Sequence, residues 1–115
     1  MKKIDLHVHT KSTASDSNFD FSMDKLNEFI SVNSLDCFAI TNHNHFDLMQ
    51  FQSITANLDN CIVLPGVEVD IDGGHLLVIS DITHLTRFNR ECEKLSAKIT
   101  SNTDYITYSE FVDIF

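Results

Sequence analysis

Apolar and polar residues change their period several times along this chain, and each change marks an element. From Lys3 to Thr10 they alternate. This predicts a strand that packs Ile4, Leu6 and Val8 on one face and presents Asp5, His7 and His9 on the other. Lys11 to Asn18 has no period and is rich in Ser, Thr, Asp and Asn, which bond their own backbone and favour a loop. A helical period follows. Ser22 stands as its N-cap, Asp24 lies in the positive first turn, and Met23, Leu26, Phe29 and Ile30 form a core-facing stripe that ends near Asn33. Cys37 to Ile40 is an unbroken apolar run, the pattern of a strand covered on both faces.

The sequence of elements then repeats. Asp47 can open a second helix through Leu48, Met49, Phe51, Ile54 and Leu58, and Cys61 to Leu64 reads as a third buried strand. Strand, helix, strand, helix, strand is the order of a parallel sheet built by crossovers. Pro65-Gly66 predicts a turn into Val67–Ile71, and Asp72-Gly73-Gly74 predicts a hairpin into His75–Ile79. Leu85, Phe88, Cys92, Leu95 and Ile99 recur at helical spacing, which places a helix from about Thr86 to Lys98. Thr107-Tyr108-Ser109-Glu110 has the form of a capping box, with Phe111, Val112 and Phe115 as the first apolar residues of the helix it opens. A helix that begins so near the last residue is expected at a fragment boundary.

Composition narrows the classes. The 115 residues suffice for one domain with a core, but a complete barrel enzyme has roughly 250. Seventeen acidic against eight basic residues give a net charge of −9; that balance argues against a nucleic-acid groove built from Lys and Arg alone, although bound divalent cations would reverse the sign locally. Cys37, Cys61 and Cys92 are too few and too scattered for a disulfide framework or a zinc knuckle, so a reducing cytoplasm is expected. No run approaches the ~18 apolar residues of a membrane span, and Asp5, His7 and His9 interrupt any signal-peptide core after Met1-Lys2-Lys3.

The residues that composition leaves unexplained carry chemistry. His7 and His9 on one strand face lie roughly 6.5 to 7 Å apart at Cα, near enough for both rings to reach one cation. In parallel α/β folds ligands gather outside the carboxyl ends of the strands. His7 and His9 end the first strand, Asp16 lies in the loop after it, His43 follows the second, Glu68 follows the third, and His75 returns on the hairpin. Singly, His43 and His45 read equally well as loop residues, Glu68 as a solvated charge and His75 as a core histidine. Their joint placement at one rim points to a mixed nitrogen and oxygen site for more than one divalent ion. Imidazole suits Zn²⁺, Fe²⁺ and Mn²⁺, and a glutamate can bridge two ions. Paired ions about 3.5 to 4 Å apart support hydrolysis of phosphoesters. A phosphate loop, a dinucleotide fingerprint and a nucleophile elbow are all absent from the sequence.

Five ordered motifs resemble the PHP (polymerase and histidinol phosphatase) family: Asp5-Leu6-His7-Val8-His9-Thr10, Ala14-Ser15-Asp16, Ile40-Thr41-Asn42-His43-Asn44, Pro65-Gly66-Val67-Glu68 and Gly74-His75-Leu76-Leu77. The resemblance spans about residues 1–80. It implies the amino-terminal portion of a distorted (β/α)7 barrel and a trinuclear Zn, Mn or Fe site. His7, His9 and Glu68 would hold one ion, Glu68 would bridge to a second that takes His75, and Asp16 and His43 would bind the third. Glu68 and His43 would be the catalytic residues. The implied substrates are phosphorylated small molecules, nucleotides or nucleic-acid ends; the alternative is a metal-stabilised, non-catalytic module of a larger DNA polymerase or ATPase-linked protein. Two departures stand out. Asn42 replaces the family's usual Asp before the histidine, and the later histidine and closing Asp-x-His motif have no counterpart, so residues 1–115 are expected to form an incomplete PHP domain. An open half-barrel would also expose strand edges and self-associate, or continue into further chain.

Overall fold

The computed structural model describes residues 1–13 and 20–115; Ala14, Ser15 and Asp16 lie outside them. Four strands form one curled, mixed sheet, half of a barrel wall, in the order of the chain. The first strand β1 (Ile4–Val8) leads through helix α1 (Met23–Asn33) to β2 (Cys37–Ile40), and α2 (Leu48–Ala56) leads to β3 (Ile62–Ile71). These three are parallel neighbours, with Ile4 opposite Cys37 and Cys37 opposite Ile62. A final strand β4 (Gly74–Ile79) returns antiparallel to β3. After a 3-10 turn (Ile82–His84) come α3 (Leu85–Lys98) and α4 (Tyr108–Ile114). Sequential order with crossover helices is the progression of a barrel wall rather than of a sheet wound in two directions.

The local signals act as their chemistry dictates. Ser22 accepts a hydrogen bond from the Lys25 backbone N–H and Asp47 accepts one from Gln50, so each caps its helix. Lys11 Nζ lies 2.7 Å from Asp47 Oδ2, and that bond chiefly holds the Asp47 carboxyl below its usual range despite partial burial. At α4 both bonds of the capping box form, Glu110 N–H to Thr107 Oγ1 and Thr107 N–H to Glu110 Oε1, each 3.1 Å. The two-residue turn Asp72-Gly73 closes the β3–β4 hairpin with Gly73 at φ 85°, a conformation that favours glycine.

Pro65-Gly66 is not a turn. β3 runs through it as one ten-residue strand, because the pair sits where the strand changes partners. The parallel ladder with β2 ends at Pro65, opposite Ile40, and the antiparallel ladder with β4 begins at Gly66, opposite Ile79. Proline's missing N–H falls at that exchange, and its carbonyl still accepts from Ser80 N–H at 2.8 Å. Gly66 is needed for close approach: a Cβ there would lie 2.9 Å from the Ile40 carbonyl and 3.0 Å from that of Val78.

One core cluster joins Phe38, Ile40, Val67 and Val69 of the sheet to Phe46, Phe51 and Ile54 around α2 and to Phe88, Cys92 and Leu95 of α3. The edges depart from the hydrophobic pattern. Ile4 and Leu6 are 59% and 44% exposed instead of packed, since β1 is an edge strand. Phe29 and Met49 are likewise exposed, and Leu26 is the buried residue of α1. Among the described residues no helix is long and apolar enough to cross a membrane.

Gly66→Ala, which pushes a methyl against two carbonyl oxygens, is expected to destabilise the fold by about 1–3 kcal/mol, read as a lower urea midpoint at unchanged slope. Asp47→Ala is expected to cost about 1 kcal/mol at neutral pH. Because the folded-state pKa of Asp47 is depressed, its charge-dependent contribution is present above the unfolded value of about 3.9 and lost as pH falls through the folded one. The difference between the two proteins in denaturant titrations therefore narrows in acid.

Candidate metal centre

Strand β3 sorts its side chains by alternation. Val67 and Val69 are buried in the apolar core, and Glu68 and Asp70, one step out of phase, share the opposite face. Both carboxylates are buried, so both must be paired. Three imidazoles meet one of them. His7 Nε2 lies 3.0 Å from Glu68 Oε2, His9 Nε2 2.9 Å and His43 Nε2 3.3 Å.

Each imidazole arrives by a different route. His7 is in β1 and His9 just beyond its end, past an irregularity in register between Asp5 and Val8. His43 follows β2 on a loop that still pairs with β3: Glu68 N–H donates to the Asn42 carbonyl at 3.0 Å and Asn44 N–H donates to the Glu68 carbonyl at 2.8 Å. Asn44 then turns the chain at φ 55°, a left-handed conformation that Asn tolerates. His75 stands on β4 directly opposite Asp70. The four rings form a row, with centroid separations of 5.2 Å (His7–His9), 4.7 Å (His9–His43) and 5.9 Å (His43–His75).

Glu68 thus lies inside a strand rather than after one. Its position at the rim is preserved because the parallel ladder ends three residues earlier, at Pro65. Asp16 is outside the described residues. Among the described residues His43, which the resemblance pairs with Asp16, falls in a group with Glu68 and His75; His7, His9 and Glu68 make a second group, and Glu68 belongs to both. His45 joins neither. Burial, then the nearby charge of Lys11, holds its imidazole below the usual range. His84 ends the 3-10 turn and is in neither group.

The residues present fit divalent cations. Ligand atoms about 2.0–2.2 Å from a common ion are separated by roughly 2.9–3.4 Å at octahedral to tetrahedral angles, the range in which the three imidazole nitrogens approach Oε2. A single carboxylate oxygen has two lone-pair directions to offer N–H donors, whereas a cation can draw a lone pair from every imidazole. Burial raises the Glu68 carboxyl pKa, but the hydrogen bond from His7, the charges of His43 and His7 and the bond from His9 more than offset this, and the net shift is downward. Asp70 behaves alike: burial raises it, and the bonds from Asn44 and His75 with the charge of His43 bring it below its ordinary value. Both groups therefore stand ready as anions.

Asp70 and Asn44 are parts of the site that motif reading passed over. Asp70 Oδ1 lies 2.6 Å from His75 Nδ1 and 3.6 Å from His43 Nδ1. The signal was present in the hairpin itself, since a two-residue turn at 72–73 puts residue 70 opposite residue 75. Asn42 has a structural task. Its Oδ1 accepts from the backbone N–H groups of Thr10 (2.8 Å) and Lys11 (2.9 Å), pinning the chain immediately after His9. A neutral amide can also donate, and Nδ2 lies 3.3 Å from Thr10 Oγ1. On the other side, His7 and His9 border a mainly apolar cavity of about 370 Å³ with Phe21, Leu26 and Phe29.

Asn42→Ala strands two backbone donors and is expected to lower stability by about 2–3 kcal/mol in urea titrations, and to loosen residues 9–11 in amide hydrogen exchange. Comparison with protein-family models, curated proteins and solved structures found no match to this chain.

Proposed function

We propose that residues 1–115 carry the metal centre of a PHP-type, metal-dependent phosphoesterase. The observation that carries the proposal is the convergence of His7, His9 and His43 on one oxygen of the buried Glu68, at 2.9–3.3 Å, with His75 in the adjoining group. His7, His9 and Glu68 would hold one ion, and His43, Glu68 and His75 a second. Asp16 is the remaining ligand that the resemblance implies. Bound divalent ions would supply Lewis acidity toward a phosphoryl oxygen and an activated water nucleophile.

The chain's own residues supply the geometry and the charge. Glu68 belongs to both groups and so fixes their spacing. His43 faces Glu68 through Nε2 and Asp70 through Nδ1, and its ring neighbours those of His9 and His75. An overall charge of −9 favours cation uptake and, once cations are held, confines attraction for phosphate to the rim where they sit. This suits a small phosphate monoester better than a long nucleic acid.

A non-catalytic, metal-stabilised module is the competing reading. Structural metal sites are closed, whereas catalytic ones keep an open side. The His7 and His75 side chains, on the edge strands β1 and β4, are 51% and 58% exposed, which leaves room for a substrate beside the ligands; turnover separates the two readings.

Elemental analysis of the purified protein is expected to find near-stoichiometric Mn, Fe or Zn that is lost from the His7→Ala/His9→Ala variant. Hydrolysis of p-nitrophenyl phosphate by the loaded protein should fall by about 100-fold or more in Glu68→Gln or His9→Ala, vanish with a chelator and return with added metal. Undiminished turnover in either variant would sink the proposal.

A further inference from the structure

We infer that Asp70 is a positioning residue for cation binding: it holds the proton of His75 on Nδ1 and so turns the bare Nε2 toward the centre. The inference rests on the metal-centre reading but concerns a carboxylate that belongs to neither ligand group.

Register brings the pair together. Asp70 and His75 are direct partners in the β3–β4 ladder, and directly opposed residues present their side chains on one face of the sheet. The Oδ1–Nδ1 distance of 2.6 Å is that of a charge-assisted hydrogen bond. An ionised carboxylate can only accept, so the proton of this bond resides on the imidazole. With Nδ1 protonated, the neutral ring keeps its lone pair on Nε2, the atom a metal requires. Without such a partner, a neutral histidine in water favours the opposite tautomer, with the proton on Nε2.

The carboxylate is itself held. Asn44 Nδ2 donates to Asp70 Oδ2 at 2.9 Å, and Asp70 N–H donates back to Asn44 Oδ1 at 2.8 Å. Asn44 is fixed in turn by its N–H bond to the Glu68 carbonyl and by Ser96 Oγ, which donates to the Asn44 carbonyl at 2.8 Å. Asp70 is 8% exposed. Such anchoring exceeds what the hairpin needs, since six ladder pairs and the Asp72-Gly73 turn already secure it. An ion pair to a largely exposed histidine adds little stability of its own. Its cost is explained if the carboxylate orients a ligand, the role that outer carboxylates play toward metal-bound histidines.

The test compares wild type with Asp70→Ala and with the isosteric Asp70→Asn, which keeps the packing should the alanine variant fail to fold. In the metal-free protein, well above the imidazole titration range, ¹⁵N-resolved NMR of His75 is expected to show the proton on Nδ1 in wild type and a shift toward Nε2 in Asp70→Ala. Calorimetric titration with Zn²⁺ alone should show the step assigned to His43, Glu68 and His75 weakened about 10–100-fold, and the step assigned to His7, His9 and Glu68 changed less than twofold. Asp70→Asn, which has one acceptor oxygen for two donors, His75 Nδ1 and Asn44 Nδ2, and lacks the charge, should fall between. A folded variant whose His75 tautomer and Zn²⁺ steps match wild type overturns this inference alone. A wild-type protein that takes up no Zn²⁺ overturns it together with the metal-centre reading.

Discussion

A carboxylate placed inside a sheet, away from water, must find partners or lose its charge, and the partners of Glu68 organise this protein. Its neighbours along β3, Val67 and Val69, are core residues. Alternation therefore turns Glu68 to the face where β1, the loop after β2 and β4 each deliver an imidazole. The downward shift of its pKa against the burial penalty shows which effect wins: the hydrogen bonds and positive potential of the histidines exceed desolvation. An acid kept ionised among imidazole nitrogens belongs to a cluster that could hold a metal ion.

Along that face β3 exchanges ladder partners within one strand. The exchange occurs at Pro65-Gly66, where the proline has no N–H to waste and the glycine lets the Ile40 and Val78 carbonyls approach. Beyond it the main chain of residues 42–44 continues to bond Glu68, and Asn42 reaches across to hold Thr10 and Lys11. Side chains that resemble motif residues thus serve the backbone as well. Asn42 acts through hydrogen bonding: its Oδ1 accepts twice and its Nδ2 donates once.

Exposure follows the same geometry. β1 and β4 are the edges of an open sheet, so the apolar alternation of β1 is only half used: Ile4 and Leu6 meet solvent while His7 and His9 point to the centre. Phe29 on α1 borders the cavity beside those histidines instead of the core. Pattern identifies which residues share a face, but burial depends on whether another element lies against that face.

Much of this was legible in the chain. Period and capping chemistry located the starts of α1, α2, α3 and α4 within a residue or two, because caps act between neighbours, and the Asp72-Gly73 turn specified the hairpin for the same reason. The candidate ligands His7, His9, His43, Glu68 and His75 were also readable as residue types placed near strand ends; Asp16 falls outside the described residues. The tertiary structure alone decided the rest. It made Pro65-Gly66 part of a strand, since a partner exchange between ladders involves β2 and β4 and leaves no local signal. It grouped His43 with Glu68 and His75, and it set Asp70 at 2.6 Å from His75. Distances between residues far apart in sequence come from the packing of whole elements, and local pattern, which reaches only a few residues, has no access to them.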